Sequence, residues 1–97
     1  MTPEGKVKAK VRKFLDSLDR TWYYMPVARG MGVMGIPDFV GVSHGRFFCI
    51  EAKAGTARPT LRQTLILSKI TLAGGAVFVI NEDNLNELEE MKSWAKH

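Results

Sequence analysis

The chain has 97 residues, of which 45% are hydrophobic and 25% charged, and its formal net charge is +4. This length leaves room for a single domain over residues 1–97, and the composition is that of an ordinary folded domain, with no sign of disorder or a fibrous repeat. No run approaches the roughly 18 apolar residues of a membrane span, and the N-terminal region lacks the apolar segment of a secretory signal, so we expect an intracellular, cytoplasmic protein.

The first predicted element is an amphipathic helix from Thr2 to about Asp19. Thr2 is a suitable N-cap, and Pro3 fits the first helical position, where its missing N–H costs nothing. The apolar residues that follow recur at helical spacing, namely Val7, Val11, Phe14, Leu15 and Leu18.

The same helix is rich in positive charge, which is compatible with a polyanionic partner such as DNA. An ordinary solvated helix face has a similar composition, so charge alone leaves both interpretations open. The cations of this helix that we assign to nucleic-acid binding are Lys6, Lys10 and Lys13.

A short strand is predicted at Trp22 to Met25, followed by a glycine-rich loop from Val27 to Gly35. Arg29 in this loop is a candidate contact to the DNA backbone, because glycines let the main chain approach phosphate. The loop then leads into two β-rich runs, Ile36 to Val42 and Arg46 to Lys53.

The two β-rich runs predict a hairpin in which His44 and Gly45 are the loop residues. Continued outward, this register places Asp38 opposite Glu51. Facing carboxylates repel each other unless a cation neutralises them. Lys53 lies two residues after Glu51 and therefore projects from the same face. Two acids and a lysine in this arrangement predict a Mg²⁺ site able to act on a phosphodiester.

A structural alternative is that Asp38 only follows Pro37 at a strand entrance, with Glu51 and Lys53 on the surface of an edge strand. The run from Phe47 to Ile50 is apolar on both faces. Charges at the end of such a strand need a partner or an ion. This context favours a functional site.

The second half predicts a helix from Thr60 to the glycine pair Gly74-Gly75, preceded by a polar connection that carries Arg58, a further candidate contact to DNA. The apolar run from Ala76 to Ile80 predicts a strand buried on both faces. A last helix starts near Asp83, with one side formed by Leu85, Leu88, Met91 and Ala95.

Helix, three strands, helix, strand and helix is therefore the predicted order, which indicates an α/β fold with helices covering a small mixed sheet. The segments Gly35-Ile36-Pro37-Asp38-Phe39-Val40-Gly41 and Phe48-Cys49-Ile50-Glu51-Ala52-Lys53 resemble the PD-(D/E)XK nuclease motif. The spacing to Gln63 and Gly74-Gly75 resembles the VRR-NUC branch of that superfamily.

The resemblance implies a restriction-endonuclease-like αβββαβ core and cleavage of branched or structured DNA, including Holliday junctions, with Mg²⁺ or Mn²⁺. Standalone members occur in phages and bacteria. By resemblance, Asp38 and Glu51 hold the metal with the Ala52 carbonyl as a further ligand, and Lys53 serves the attacking water.

Two further residues, Glu4 and Gln63, are candidate site residues, but the sequence patterns that indicate them are less specific. Glu4 matches a metal-site glutamate that the family often places in its first helix, although the helix macrodipole alone favours a glutamate in a first turn. Gln63 resembles the family's glutamine near the metal, and its alternative is an ordinary inward-facing polar residue.

Two other function classes remain open, a nucleic-acid-binding module that does not cut and an accessory subunit of a larger nuclease. We also expect a homodimer. Cys49 is the only cysteine, so no disulfide within the chain can stabilise a core this small. The aromatic and methionine-rich stretch that indicates an interface contains Trp22, Tyr23, Tyr24, Met25, Met31 and Met34.

Overall fold

The computed structural model of the protein describes residues 1–27 and 34–96. Its elements are α1 (Pro3–Asp16), β1 (Thr21–Tyr24), β2 (Phe39–Ser43), β3 (Arg46–Ala52), α2 (Leu61–Leu72), β4 (Ala76–Ile80) and a C-terminal 3₁₀ helix (Leu85–Lys96). This order confirms the predicted α/β fold class. Arg29 and Met31, on which two of the predictions fall, lie outside the described residues. Across the described ranges, every helix is too short or too polar to span a membrane.

One four-stranded mixed sheet, in the order β1-β2-β3-β4, forms the centre of the fold. β1, β2 and β3 pair antiparallel, and β4 joins β3 in parallel after the α2 crossover. His44 and Gly45 both have positive φ angles, 50° and 80°, as a tight two-residue hairpin turn requires. The resulting register pairs Ser43 with Arg46 and Phe39 with Ile50, as the sequence predicts.

β2 begins at Phe39, three residues later than the sequence predicts. Pro37 has no N–H to donate to a strand ladder. Asp38 uses its side chain instead, because its Oδ2 accepts the Ala52 N–H at 2.8 Å. The carboxylate that matters for the site therefore lies at the strand entrance and is held against the end of β3.

The main core covers one face of the sheet. α1 contributes Val7, Val11 and Leu15, all at most 2% exposed, which confirms the predicted apolar stripe. Alternate residues of the strands face this stripe because strand side chains alternate between the two faces. The strand and 3₁₀-helix members of the core are Phe39, Phe48, Ile50, Ala52, Ala76, Phe78, Ile80, Leu88, Met91 and Trp94.

Two predicted helices differ from the structure. α1 ends at Asp16 and not near Asp19, because the Ser17 hydroxyl donates to the Phe14 carbonyl at 2.6 Å and Arg20 turns the chain with a φ of 52°. The last helix is a 3₁₀ helix, with three residues per turn. Its buried residues therefore recur every third position, so Trp94 is buried and Ala95 is exposed.

α2 covers part of the opposite sheet face. Its inward side consists of Gln63, Ile66, Leu67 and Ile70. Cys49 and Glu51 of β3 lie on this face, because they alternate with core residues. The prediction that β4 is buried on both faces is wrong. β4 is an edge strand, and Val79 on the α2 side is 36% exposed.

Candidate active site

The predicted site residues meet at one end of the sheet. Asp38 enters β2, Glu51 and Ala52 end β3, and Lys53 follows directly. Gln63 lies in the first turn of α2. The Asp38 Oδ2 to Ala52 N hydrogen bond of 2.8 Å joins the two strands at this point. The hairpin register thus brings Asp38 and Glu51 together, and the negative charge of Asp38 contributes to the raised pKa of Glu51.

Glu51 is the central residue of the site, with an exposure of 2%. Its Oε2 accepts a hydrogen bond from Gln63 Nε2 at 2.9 Å and lies 3.1 Å from Lys53 Nζ. Its Oε1 is the one buried side-chain polar atom without a hydrogen-bond partner in the described ranges. Burial raises the pKa of the Glu51 carboxyl, the Asp38 charge raises it further, and Lys53 opposes both effects.

Gln63 is fixed by its place in the helix. The Thr60 hydroxyl accepts the Gln63 N–H at 3.1 Å, and Gln63 Oε1 accepts the Thr60 N–H at 2.8 Å, forming a reciprocal capping box. Because Oε1 is used in this way, the amide nitrogen is left to face Glu51. The helix cap therefore orients Glu51 through Gln63. This interaction favours the predicted role of Gln63 beside the site over that of an ordinary polar residue.

Lys8 is a site residue that the sequence does not predict. Its Nζ lies 3.4 Å from Asp38 Oδ1 and 3.6 Å from Glu4 Oε2. Burial lowers the pKa of Lys8, but Asp38 and Glu4 together outweigh that effect and raise it above its ordinary value. The i,i+4 spacing of Glu4 and Lys8 is a visible signal in the sequence. That signal indicates pairing on α1 and not the approach to Asp38.

Glu4 reaches the edge of the site. Its side chain is 42% exposed, and its charge makes a small contribution to the raised pKa of Glu51. Cys49, also on the α2 face, is fully buried. Burial raises the pKa of the Cys49 thiol to about 12, with a further contribution from the Glu51 charge. Cys49 is therefore a protonated core residue at neutral pH and no nucleophile.

The donor set can be compared with the needs of the metal that the sequence predicts. In the described part of the chain, no three His, Cys, Asp or Glu side chains gather closely enough to hold an ion. Mg²⁺ needs only one or two carboxylates, since water and substrate phosphate fill its other positions. Glu51 and Asp38 meet that requirement, and the unpartnered Glu51 Oε1 offers a buried oxygen for a cation. The Ala52 carbonyl remains a predicted ligand.

The predicted nucleic-acid contacts fall into two clefts and one separate position. Lys6 and Lys10 line a cleft of about 380 Å³ beside Gly55 and Glu82. Arg58 shares a second cleft, of about 260 Å³, with the site residue Lys53. Lys13 lies in the last turn of α1, at the far end of that helix from Glu4.

Comparison with protein-family models and with curated proteins gave no match. The similarity to the VRR-NUC branch therefore rests on the motif residues alone. The structure shows that four of these residues lie together at one end of the mixed sheet, namely Asp38, Glu51, Lys53 and Gln63.

Proposed function

We propose that this protein is a divalent-metal-dependent DNA endonuclease with a restriction-endonuclease-like core, of the VRR-NUC type that its motif resembles. The observation that carries the proposal is the buried Glu51 carboxylate, which has one oxygen without a partner and lies beside Asp38. Branched DNA, such as a Holliday junction, is the proposed substrate, and Mg²⁺ or Mn²⁺ the proposed cofactor.

The free energy of burial favours a cation at this position. A buried polar atom without a hydrogen bond costs about 1–3 kcal/mol, and more when it is charged. Glu51 Oε1 is in that position, although the rest of the side chain is held by Gln63 and Lys53. A divalent ion on Oε1 removes this cost, whereas a purely structural role for Glu51 leaves it in place.

The roles of the residues follow from their contacts. A bound divalent ion supplies charge that polarises a phosphoryl oxygen and lowers the pKa of a coordinated water. Gln63 is a positioning residue, because its amide donates to Glu51 Oε2 and leaves Oε1 without a partner. Lys53, with 13% of its side chain exposed, carries a positive charge that can neutralise charge developing on the phosphate or orient the attacking water.

A binding module that does not cut is the main rival, and an accessory subunit of a larger nuclease is a second. The position of Lys53 argues against the binding module that does not cut. A structural metal site gains nothing from an ammonium group 3.1 Å from one of its own carboxylates, because that cation competes with the metal. A lysine that serves the reaction explains its position.

The test of the proposal is a cleavage assay with the purified chain. Labelled four-way junction, flap, nicked duplex and plain duplex DNA are each incubated with Mg²⁺, Mn²⁺ or EDTA. We expect cleavage with either metal, none with EDTA, and the fastest cleavage on the junction. Binding of all four DNAs without cleavage under any metal condition contradicts the proposal and supports the binding module.

The exposed lysines of α1 are the proposed DNA-binding surface. Changing Lys6, Lys10 and Lys13 together to Ala is expected to weaken DNA binding and to flatten its dependence on salt. The slope of log affinity against log salt should fall by about one unit for each phosphate that the variant no longer neutralises. Fluorescence anisotropy at several salt concentrations measures both quantities.

The control for this surface removes lysines from other elements. Lys69 lies in the last turn of α2, and Lys92 pairs with Glu89 on the 3₁₀ helix. Changing these two to Ala should alter the slope much less per charge. An equal change per charge means that α1 is ordinary solvated surface and that the protein binds DNA through its overall charge.

We also propose that the protein works as a homodimer. The sheet face opposite the main core carries exposed apolar side chains, among them Trp22 and Tyr24 at 61% and 51% exposure. Their ring centroids are 5.7 Å apart, and Val42 and Phe47 continue the same face. Met34 is also exposed, whereas Tyr23 and Met25 pack against the core. Exposed aromatic surface of this kind is typical of an interface.

Sedimentation equilibrium without DNA tests the dimer. We expect a species of twice the 10.8 kDa chain mass. Trp22→Glu should give monomers, because it places a charge in the proposed interface. Ser93→Glu adds the same charge on the exposed side of the 3₁₀ helix, on the other side of the sheet, and should remain dimeric. A wild-type protein that sediments as a monomer at micromolar concentration excludes a stable dimer.

A further inference from the structure

We propose that Lys8 is a built-in cation that competes with the divalent metal for Asp38, so that the metal must displace it and its charge limits the metal affinity of the site. The inference rests on the proposed metal site and deepens it. It concerns a residue outside the motif, on a different element from Asp38 and Glu51.

The two oxygens of Asp38 carry the first step. Oδ2 accepts the Ala52 N–H at 2.8 Å, and Oδ1 lies 3.4 Å from Lys8 Nζ. Both oxygens are therefore engaged, in contrast to Glu51, which keeps Oε1 without a partner. A cation that binds Glu51 Oε1 meets no occupant there, but to use Asp38 Oδ1 it has to replace the Lys8 ammonium.

The backbone of Lys8 is held in place by the packing of α1, so its ammonium group always lies within reach of Asp38. Val7 and Val11 on either side are at most 2% exposed and anchor α1 in the core. The Lys8 side chain is 32% exposed, so its flexible end can withdraw into solvent without moving the helix. Displacement thus needs only a change of rotamer.

The charges of the site give the direction of the effect. Glu4, Asp38 and Glu51 are acidic, and the ammonium groups of Lys8 and Lys53 lie within 3.6 Å of their carboxylates. With all of them ionised, the site holds one net negative charge. A dication added to this set is repelled by both lysines, and the repulsion from Lys8 is relieved when its side chain turns to solvent.

Calorimetric titration with Mn²⁺, without DNA, measures the competition. The proteins are wild type, Lys8→Met, Lys10→Met and Glu51→Gln. Lys10 provides the matched control, since it lies on the exposed side of the same helix and its substitution removes the same charge. We expect Lys8→Met to bind Mn²⁺ about tenfold more tightly than Lys10→Met, the size expected from one nearby charge in a partly solvated site.

The outcomes separate this inference from the metal site itself. Loss of binding in Glu51→Gln, together with tighter binding in Lys8→Met, supports both. Loss in Glu51→Gln with equal affinities in the two lysine variants overturns the competition and keeps the metal site. Weaker binding in Lys8→Met also overturns it, because Lys8 then supports the carboxylates. No Mn²⁺ binding to wild type or to Lys8→Met overturns both.

Thermal melting in EDTA and in Mn²⁺ gives a second readout and checks folding. Without metal, Lys8→Met leaves Asp38 and Glu4 without their ammonium partner, so its melting temperature should fall below that of Lys10→Met. Mn²⁺ should then raise the melting temperature of Lys8→Met more than that of Lys10→Met. Equal increases contradict the competition.

Discussion

Glu51→Gln is expected to reduce metal-dependent DNA cleavage by about a thousandfold while the protein stays folded. The substitution keeps the shape of the side chain and an oxygen that can accept from Gln63 and Lys53. It removes the negative charge of the carboxylate and puts an amide NH₂ group in place of the unpartnered Oε1, which is the proposed metal contact. Burial raises the pKa of Glu51 because it disfavours the charged form. A neutral amide of the same shape avoids that desolvation cost, so the fold should tolerate it.

The control for this variant is Glu90→Gln, which removes an identical charge from an exposed position of the 3₁₀ helix. Initial rates on the best substrate and melting curves are measured for both proteins. Glu90→Gln should retain wild-type rates. If Glu51→Gln cleaves within a few-fold of wild type, Glu51 does not hold the metal, and the proposed site is wrong.

Gly41→Ala is expected to cause the largest loss of stability, lowering the free energy of unfolding by about 3 kcal/mol. Gly41 pairs with Tyr23 across β1 and β2. A Cβ at this position would clash with the Trp22 carbonyl oxygen and would lie 2.7 Å from Tyr23 Cα. Both clashes involve backbone, which cannot move aside without breaking the pairing of the two strands.

Gly74→Ala is the matched comparison, because a Cβ there meets open space and the cost comes only from its φ of +99°. That backbone strain costs about 1 kcal/mol or somewhat more. Urea unfolding of the two variants separates the effects. A Gly41→Ala protein that is no less stable than Gly74→Ala would show that β1 does not approach β2 as closely at this residue.

The hairpin shows how much of the site could be predicted. The turn residues His44 and Gly45 fix the register, and the alternation of side chains then places Lys53 on the face of Glu51. Both steps use only local geometry, and the structure has the predicted pairs. The start of α2 at Thr60 is likewise predicted from local sequence, and the capping box there holds Gln63, whose amide donates to Glu51.

Lys8 shows what local geometry could not provide. Its ion pair with Asp38 depends on how the first turns of α1 cross the end of the sheet, which is a tertiary property. Trp94 is a similar case. The sequence predicts Ala95 on the apolar side of the last helix, but the 3₁₀ period buries Trp94 instead, with its ring centroid 6.3 Å from that of Phe78.

The sequence also could not predict that Glu51 Oε1 lacks a partner. That property arises because Gln63 and Lys53 both contact the other oxygen, Oε2. The exposed apolar face was predicted only in part. Tyr23 and Met25 turn inward by strand alternation and packing, while Trp22 and Tyr24 remain exposed. A stretch of aromatic residues in sequence therefore splits between the core and the surface.

A structure determined from crystals grown with Mn²⁺ tests the metal site most directly, because anomalous scattering identifies the ion and its position. We expect an anomalous peak within coordination distance of Glu51 Oε1 and an Asp38 oxygen, with Gln63 still donating to Glu51 Oε2. An ion bound only elsewhere on the protein, with Glu51 Oε1 still lacking a partner, would contradict a metal-dependent nuclease built on these two carboxylates.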